Sequence, residues 1–162
     1  MQRWLPLLAL LLYACRTDKP AHSENPANWA VTGVSGMLLP GTVDTVRFAA
    51  ALDSGWYIYS LTQKAGGPTP MSVTVDPSPP YELVNNVTGP KPVTIFDKEF
   101  NIQTERYVGS PAFAAIVHID STSTKKPVPL NVRVRYQACN ATLCLPARTT
   151  TLTTPKQVAT PQ

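Results

Sequence analysis

Charge is scarce in this 162-residue sequence: 15% of residues are charged, with 14 basic against 10 acidic side chains and a net charge of +4. So mild an excess leaves no footprint for nucleic acid. Long hydrophobic runs are missing too, since the apolar stretch at residues 5–12 falls well short of the roughly 20 residues that cross a bilayer. There is no internal repeat, no low-complexity block and no helix-period segment of useful length. Glycine is sparse at 8, whereas proline at 17 is about twice its usual share and argues against a helical bundle. The apolar fraction of 43% suffices for a core and excludes wholesale disorder. The length accommodates one domain, with or without tails. Cysteine is rare as well, and its odd count of three needs an explanation.

The N-terminus supplies the first part of it. Arg3 precedes the apolar run Leu5–Leu12, the n-region and h-region of a secretory signal. Leu12-Tyr13-Ala14-Cys15 resembles a bacterial lipobox, with Leu at −3, a small residue at −1 and Cys first in the mature chain; Tyr13 at −2 departs from it. An ordinary cleaved signal would leave Cys15 as a thiol. The cysteine's place at the end of the apolar run favours the lipoprotein reading, in which Cys15 carries lipid and the other two cysteines can pair. Residues 1–14 are then the signal peptide, 15–28 a polar, proline-bearing tether, 29–154 the folded unit and 155–162 a tail. The chain is expected in the bacterial cell envelope, lipid-anchored and facing the periplasm, where disulfides are permitted.

Within 29–154 the period is two. Val46, Phe48 and Ala50 alternate with Arg47 and Ala49; Met71, Val73 and Val75 with Ser72 and Thr74; Leu130, Val132, Val134 and Tyr136 with Asn131, Arg133, Arg135 and Gln137. Ala112–Ile119 is apolar on both faces and fits a central strand. Turn signals punctuate these runs at Pro40-Gly41, Asp53-Ser54-Gly55, Gly66-Gly67-Pro68, Pro77–Pro80 and Gly89-Pro90. Eight or nine short strands spaced in this way predict an all-β, immunoglobulin-like β-sandwich.

The clearest strand runs into Tyr136-Gln-Ala-Cys139-Asn-Ala-Thr-Leu-Cys144-Leu-Pro146, and a second β-prone run, Arg148–Thr154, follows. Cys139 and Cys144 therefore stand at the neck of a hairpin loop. A disulfide across so small a ring constrains the unfolded chain less than a long one. Two sulfurs that stay adjacent can also resolve a mixed disulfide intramolecularly. Beyond Asp120 the chain has six basic residues and no acidic one, and positive charge near a thiol favours the thiolate. Spacing alone leaves a redox pair, a structural hairpin bond and a metal site open. Metal is the weakest, because zinc takes about four ligands and only His22, in the tether, and His118, in an apolar strand, could join the cysteines.

The run Tyr136-Gln-Ala-Cys139…Cys144-Leu-Pro146 resembles the redox motif of the N-terminal periplasmic domain of the thiol:disulfide interchange protein DsbD, with a loop one residue shorter than in the best-known member. Two further segments match in order. Gly55-Trp56-Tyr57-Ile58-Tyr59 is similar to the family's Gly-aromatic-Tyr-Leu-Tyr strand, whose tyrosines lie beside the cysteines. Lys98-Glu99-Phe100 is similar to its Asp-Glu-Phe cap, whose phenylalanine shields the disulfide, with Lys98 in the acidic position and Asp97 one residue earlier; Glu105 and Tyr107 fall at matching offsets. The resemblance spans roughly residues 30–154.

It implies an immunoglobulin-like component of thiol–disulfide interchange, of the kind that serves cytochrome c biogenesis. It would accept electrons from a thioredoxin-like or membrane-embedded donor and reduce exported thiol–disulfide proteins. Donor and conduit are expected to be separate proteins, and no cofactor is required. The resemblance further implies that Cys144 forms the mixed disulfide and Cys139 resolves it. Phe100 would gate the sulfurs, with Tyr57, Tyr59 and Glu99 shaping the pocket. The rival is a non-enzymatic β-sandwich lipoprotein, a binding or assembly module with a structural hairpin bond, in which Phe100 and the aromatics are core and Glu99 is a surface charge. Asn86-Val-Thr88 and Asn140-Ala-Thr142 match glycosylation sequons, which a bacterial lipobox makes chance matches.

Overall fold

The computed structural model describes residues 24–36, 38–76, 80–122 and 129–155. Cys15, His22, the signal segment, most of the tether and residues 156–162 lie outside these residues. Eleven strands follow in chain order: β1 (Ala27–Val34), β2 (Val43–Leu52), β3 (Tyr57–Tyr59), β4 (Ser72–Val75), β5 (Tyr81–Leu83), β6 (Val93–Asp97), β7 (Ile102–Val108), β8 (Ala112–Ile119), β9 (Asn131–Tyr136), β10 (Ala138–Cys139) and β11 (Arg148–Thr153). They form three antiparallel sheets, ordered β1-β2-β8-β5, β10-β3-β7-β6 and β11-β9-β4. The architecture is the all-β, immunoglobulin-like one expected. Among the described residues the strands number eleven rather than eight or nine, three of them only two or three residues long.

Alternation decides which side chains enter the core. Leu130, Val132, Val134 and Tyr136 are fully buried, as are Val46, Phe48 and Ala50. Each large apolar side chain removed from water contributes about 1.5–3 kcal/mol. Arg133 and Arg135 point outward, and Arg133 pairs with Asp76 at 2.7 Å. β8 is an interior strand between β2 and β5, where Phe48 and Phe113 sit directly opposite and stack at 5.6 Å. Trp29 closes over this cluster, its ring 5.4 Å from that of Tyr136 and 5.8 Å from that of Phe113.

The domain begins earlier than composition indicates. β1 starts at Ala27, which is buried, and Asn25 accepts hydrogen bonds from the Tyr136 hydroxyl (3.3 Å) and Arg148 (2.9 Å). Residues 27 and 28, assigned to the tether on polarity, thus pair in the sheet opposite Leu52 and Ala51.

One feature of the topology places the cysteines. β9 pairs with β11, Tyr136 lying opposite Arg148. Between them the chain leaves this sheet at Gln137, and Ala138 and Cys139 pair instead with Ile58 and Tyr57 of β3. The cysteine hairpin therefore joins a different sheet from the two strands that flank it in sequence.

Candidate functional site

Cys139 and Cys144 are joined by a disulfide. They face each other as an antiparallel bridge, framed by the hydrogen bonds Asn140 N–H to Leu143 C=O and Leu145 N–H to Ala138 C=O, both 2.9 Å. Asparagine makes the turn. Asn140 Oδ1 accepts from the Thr142 N–H, the Thr142 hydroxyl and the Leu143 N–H, each at 2.9 Å, an Asx-turn that stands in for backbone pairing. The Asn-Ala-Thr sequon pattern is thus a turn motif here. Replacing Asn140 by Ala removes three acceptor contacts, at a cost of about 1 kcal/mol. The loss falls mainly on the closed ring, so the pair's reduction potential is expected to rise by up to about 20 mV. Equilibration against a glutathione buffer measures it; an unchanged potential would show that the turn does not set the sulfur geometry.

The two sulfur-bearing residues are unequal. Cys139 is fully buried, whereas Cys144 is exposed. Cys144 borders a cavity of about 430 Å³ that lies between the cysteine hairpin (Asn140–Cys144) and the loop after β6 (Lys98, Glu99 and Phe100), with Tyr57, Tyr59 and Arg106 also lining it. The four peripheral residues expected at the site, Tyr57, Tyr59, Glu99 and Phe100, are all brought to this one cavity. Phe100 is 42% exposed and so is not a core residue. Cys15 lies outside the described residues.

β3 supplies the aromatics by alternation. Tyr57 and Tyr59 share one face while Ile58 enters the core, and their rings meet edge-on at 5.6 Å. Burial pushes the Tyr59 phenol well above its ordinary range, and its hydrogen bond with Tyr57 adds to that. The shift keeps the Tyr59 phenol protonated, and so a hydrogen-bond donor, at physiological pH.

β7 decides which neighbours matter. Glu105 and Tyr107, matched by offset, point away from the sulfurs. Tyr107 is buried against Phe113 at 5.2 Å. Glu105 accepts hydrogen bonds from Thr62 and Ser60, which hold its carboxyl below the usual range. The intervening Arg106 faces the site. Its guanidinium lies 4.1 Å from the Tyr57 ring centroid and pairs with Asp97. The sequence motifs pointed to Glu105 and Tyr107 but not to Arg106, and to Glu99 as the site's carboxylate although Asp97 stood in the same segment. The signal available was parity: residues 105 and 107 cannot share a face with 106 in a strand. Of the basic residues beyond Asp120, the three among the described residues do not line the cavity: Arg133 and Arg135 lie on the solvent face of β9, and Arg148 donates to Asn25.

The all-β sandwich presents a local disulfide, with Cys139 buried and Cys144 exposed beside an aromatic-lined cavity, an arrangement that suits thiol–disulfide exchange. The chain belongs to the family of the N-terminal domain of the thiol:disulfide interchange protein DsbD, whose family model matches residues 31–156. The family's name places its members in thiol–disulfide interchange. The similar solved structures include two N-terminal domains. The reduced DsbD N-terminal domain of Neisseria meningitidis is 19% identical, over 72% of this chain and 80% of that one, with a TM-score of 0.48. The N-terminal periplasmic domain of ScsB from Proteus mirabilis is 18% identical, with a TM-score of 0.48 over 70% of this chain and 40% of that one. This chain thus spans less than half of the ScsB chain. No curated protein matches it.

Proposed function

We propose that this protein passes electron pairs from a thioredoxin-like or membrane-embedded donor to exported thiol–disulfide proteins through Cys139 and Cys144, while a lipid on Cys15 tethers it to a membrane. The observation that carries this reading is the unequal exposure of the two cysteines beside the cavity. A donor thiolate attacks Cys144 Sγ, a mixed disulfide forms, and Cys139 leaves as a thiolate. The donor's second thiolate then attacks the donor sulfur of that bond and releases Cys144, so two electrons have moved to this chain. In the second half Cys144 attacks an acceptor disulfide and Cys139 attacks Cys144 Sγ. The acceptor leaves reduced and the Cys139–Cys144 bond is restored.

Attack requires a clear line to the sulfur, and the Phe100 loop stands across the cavity from it. Glu99, Lys98 and Arg106 set charges of both signs around the cavity that Cys144 borders. Ile95 and Phe96 of β6, each more than two-fifths exposed, line the same cavity as Phe100. Exposed apolar surface of this kind suits a transient protein contact.

The reduction potential of the pair tests the function. A value in the range of catalytic dithiols, roughly −120 to −270 mV, is expected. A value below about −300 mV marks a structural bond and would favour the non-enzymatic lipoprotein instead.

A further inference from the structure

We propose that Arg106 is a positioning residue: through Asp97 it fixes the Phe100 loop at the mouth of the exchange site. The inference deepens the exchange reading above and rests on it. The loop has little packing of its own, since Lys98, Glu99 and Phe100 are all exposed. Its conformation is set locally. Asp97 Oδ1 accepts the N–H groups of Glu99 (3.0 Å) and Phe100 (3.4 Å), and Asn101 closes the turn at a φ of 55°.

Asp97 is buried, and its second oxygen takes Arg106 Nη2. Arg106 is held in turn. Its Nε donates to Thr104 Oγ1 at 3.1 Å, Thr104 donates to the Ile95 carbonyl, and the guanidinium lies over Tyr57. Tyr57 is the direct cross-strand partner of Cys139. One cation thus ties the loop's carboxylate to the tyrosine beside the buried sulfur. Without Arg106, Asp97 is left as a buried, unpaired carboxylate. It must turn towards water, and in turning it releases the two loop N–H groups.

The test is the rate at which dithiothreitol reduces the disulfide of the oxidised full-length protein, with circular dichroism monitoring the fold. R106A is expected to react about tenfold faster, equivalent to about 1.4 kcal/mol of lost loop closure, and D97N is expected to follow it. R106K, which keeps the charge but not the planar stack, should fall between R106A and the parent. F100A removes the side chain that the loop presents to the cavity, so R106A/F100A should react no faster than F100A alone.

A general loosening of the domain would instead make the two effects multiply, and that result overturns the proposal. An unchanged or slower rate in folded R106A does the same. If R106A does not fold, R106Q decides by the same criteria. None of these rates involves a protein partner, so a failure of the exchange reading, seen as absent partner capture, is distinguishable from a failure of the latch.

Discussion

Replacing Cys139 by Ala is expected to accumulate covalent complexes between this protein and its redox partners, whereas replacing Cys144 by Ala is expected to abolish them. The asymmetry follows from geometry. Cys144 is the exposed member, so it can meet a partner's sulfur, and Cys139 lies buried behind it. With Cys139 gone, Cys144 can still attack a disulfide, but no internal thiolate remains to resolve the bond that forms. With Cys144 gone, the remaining thiol has no path to a partner. Non-reducing gels of periplasmic extracts, with and without dithiothreitol, read the difference directly. The mixed disulfides should be at least tenfold more abundant in the Cys139 variant. Equal trapping by both variants would remove the assignment of Cys144 as the attacking sulfur, and trapping by neither would remove the exchange reading itself.

The second large effect concerns Tyr136, the first residue of the Tyr-Gln-Ala-Cys motif. Its side chain is fully buried, its ring packs on Trp29 at 5.4 Å, and its hydroxyl donates to Asn25 at 3.3 Å. Tyr136→Ala is expected to destabilise the domain by about 3–5 kcal/mol, the usual cost of deleting a buried aromatic ring. That is a large part of the 5–15 kcal/mol typical of a whole domain. Tyr136→Phe should cost only about 1 kcal/mol, the worth of one hydrogen bond. Urea unfolding of the oxidised protein checks both. A loss below about 1 kcal/mol in the alanine variant would show that the ring is not an anchor. On this account the motif's tyrosine serves packing: it fixes the point at which the chain leaves β9 for β10.

Much of the fold was legible because a half-buried strand writes its orientation into the sequence. The alternations around Val46–Ala50 and Leu130–Tyr136 named buried residues correctly, since one side of each strand must exclude water. The apolar stretch Ala112–Ile119 named an interior strand for the same reason. At the site, Tyr57, Tyr59, Glu99, Phe100 and the two cysteines could be chosen from motif order, and one cavity gathers all of them but the buried Cys139, which is bonded to Cys144 at its border. The motif gave no strand parity for 105–107. Glu105 and Tyr107 matched by offset but face away, and Arg106 between them holds the position that matters.

The sequence by itself determined that this is one small β domain with a cysteine pair at a hairpin neck, because alternation, turn residues and cysteine spacing are local properties of the chain. Which sheet that hairpin joins, which sulfur-bearing residue is exposed, and which charges stand beside it were decided only by the tertiary structure. The reason is physical. Tyr57, Asp97 and Cys144 are tens of residues apart in sequence, with Arg106 nine beyond Asp97, and they become neighbours only when β10 crosses to pair with β3 and β7 folds back on β6. Arg135 and Arg148, the basic residues nearest the cysteines in sequence, stay exposed, while the cations that line the cavity, Lys98 and Arg106, come from the loop after β6 and from β7.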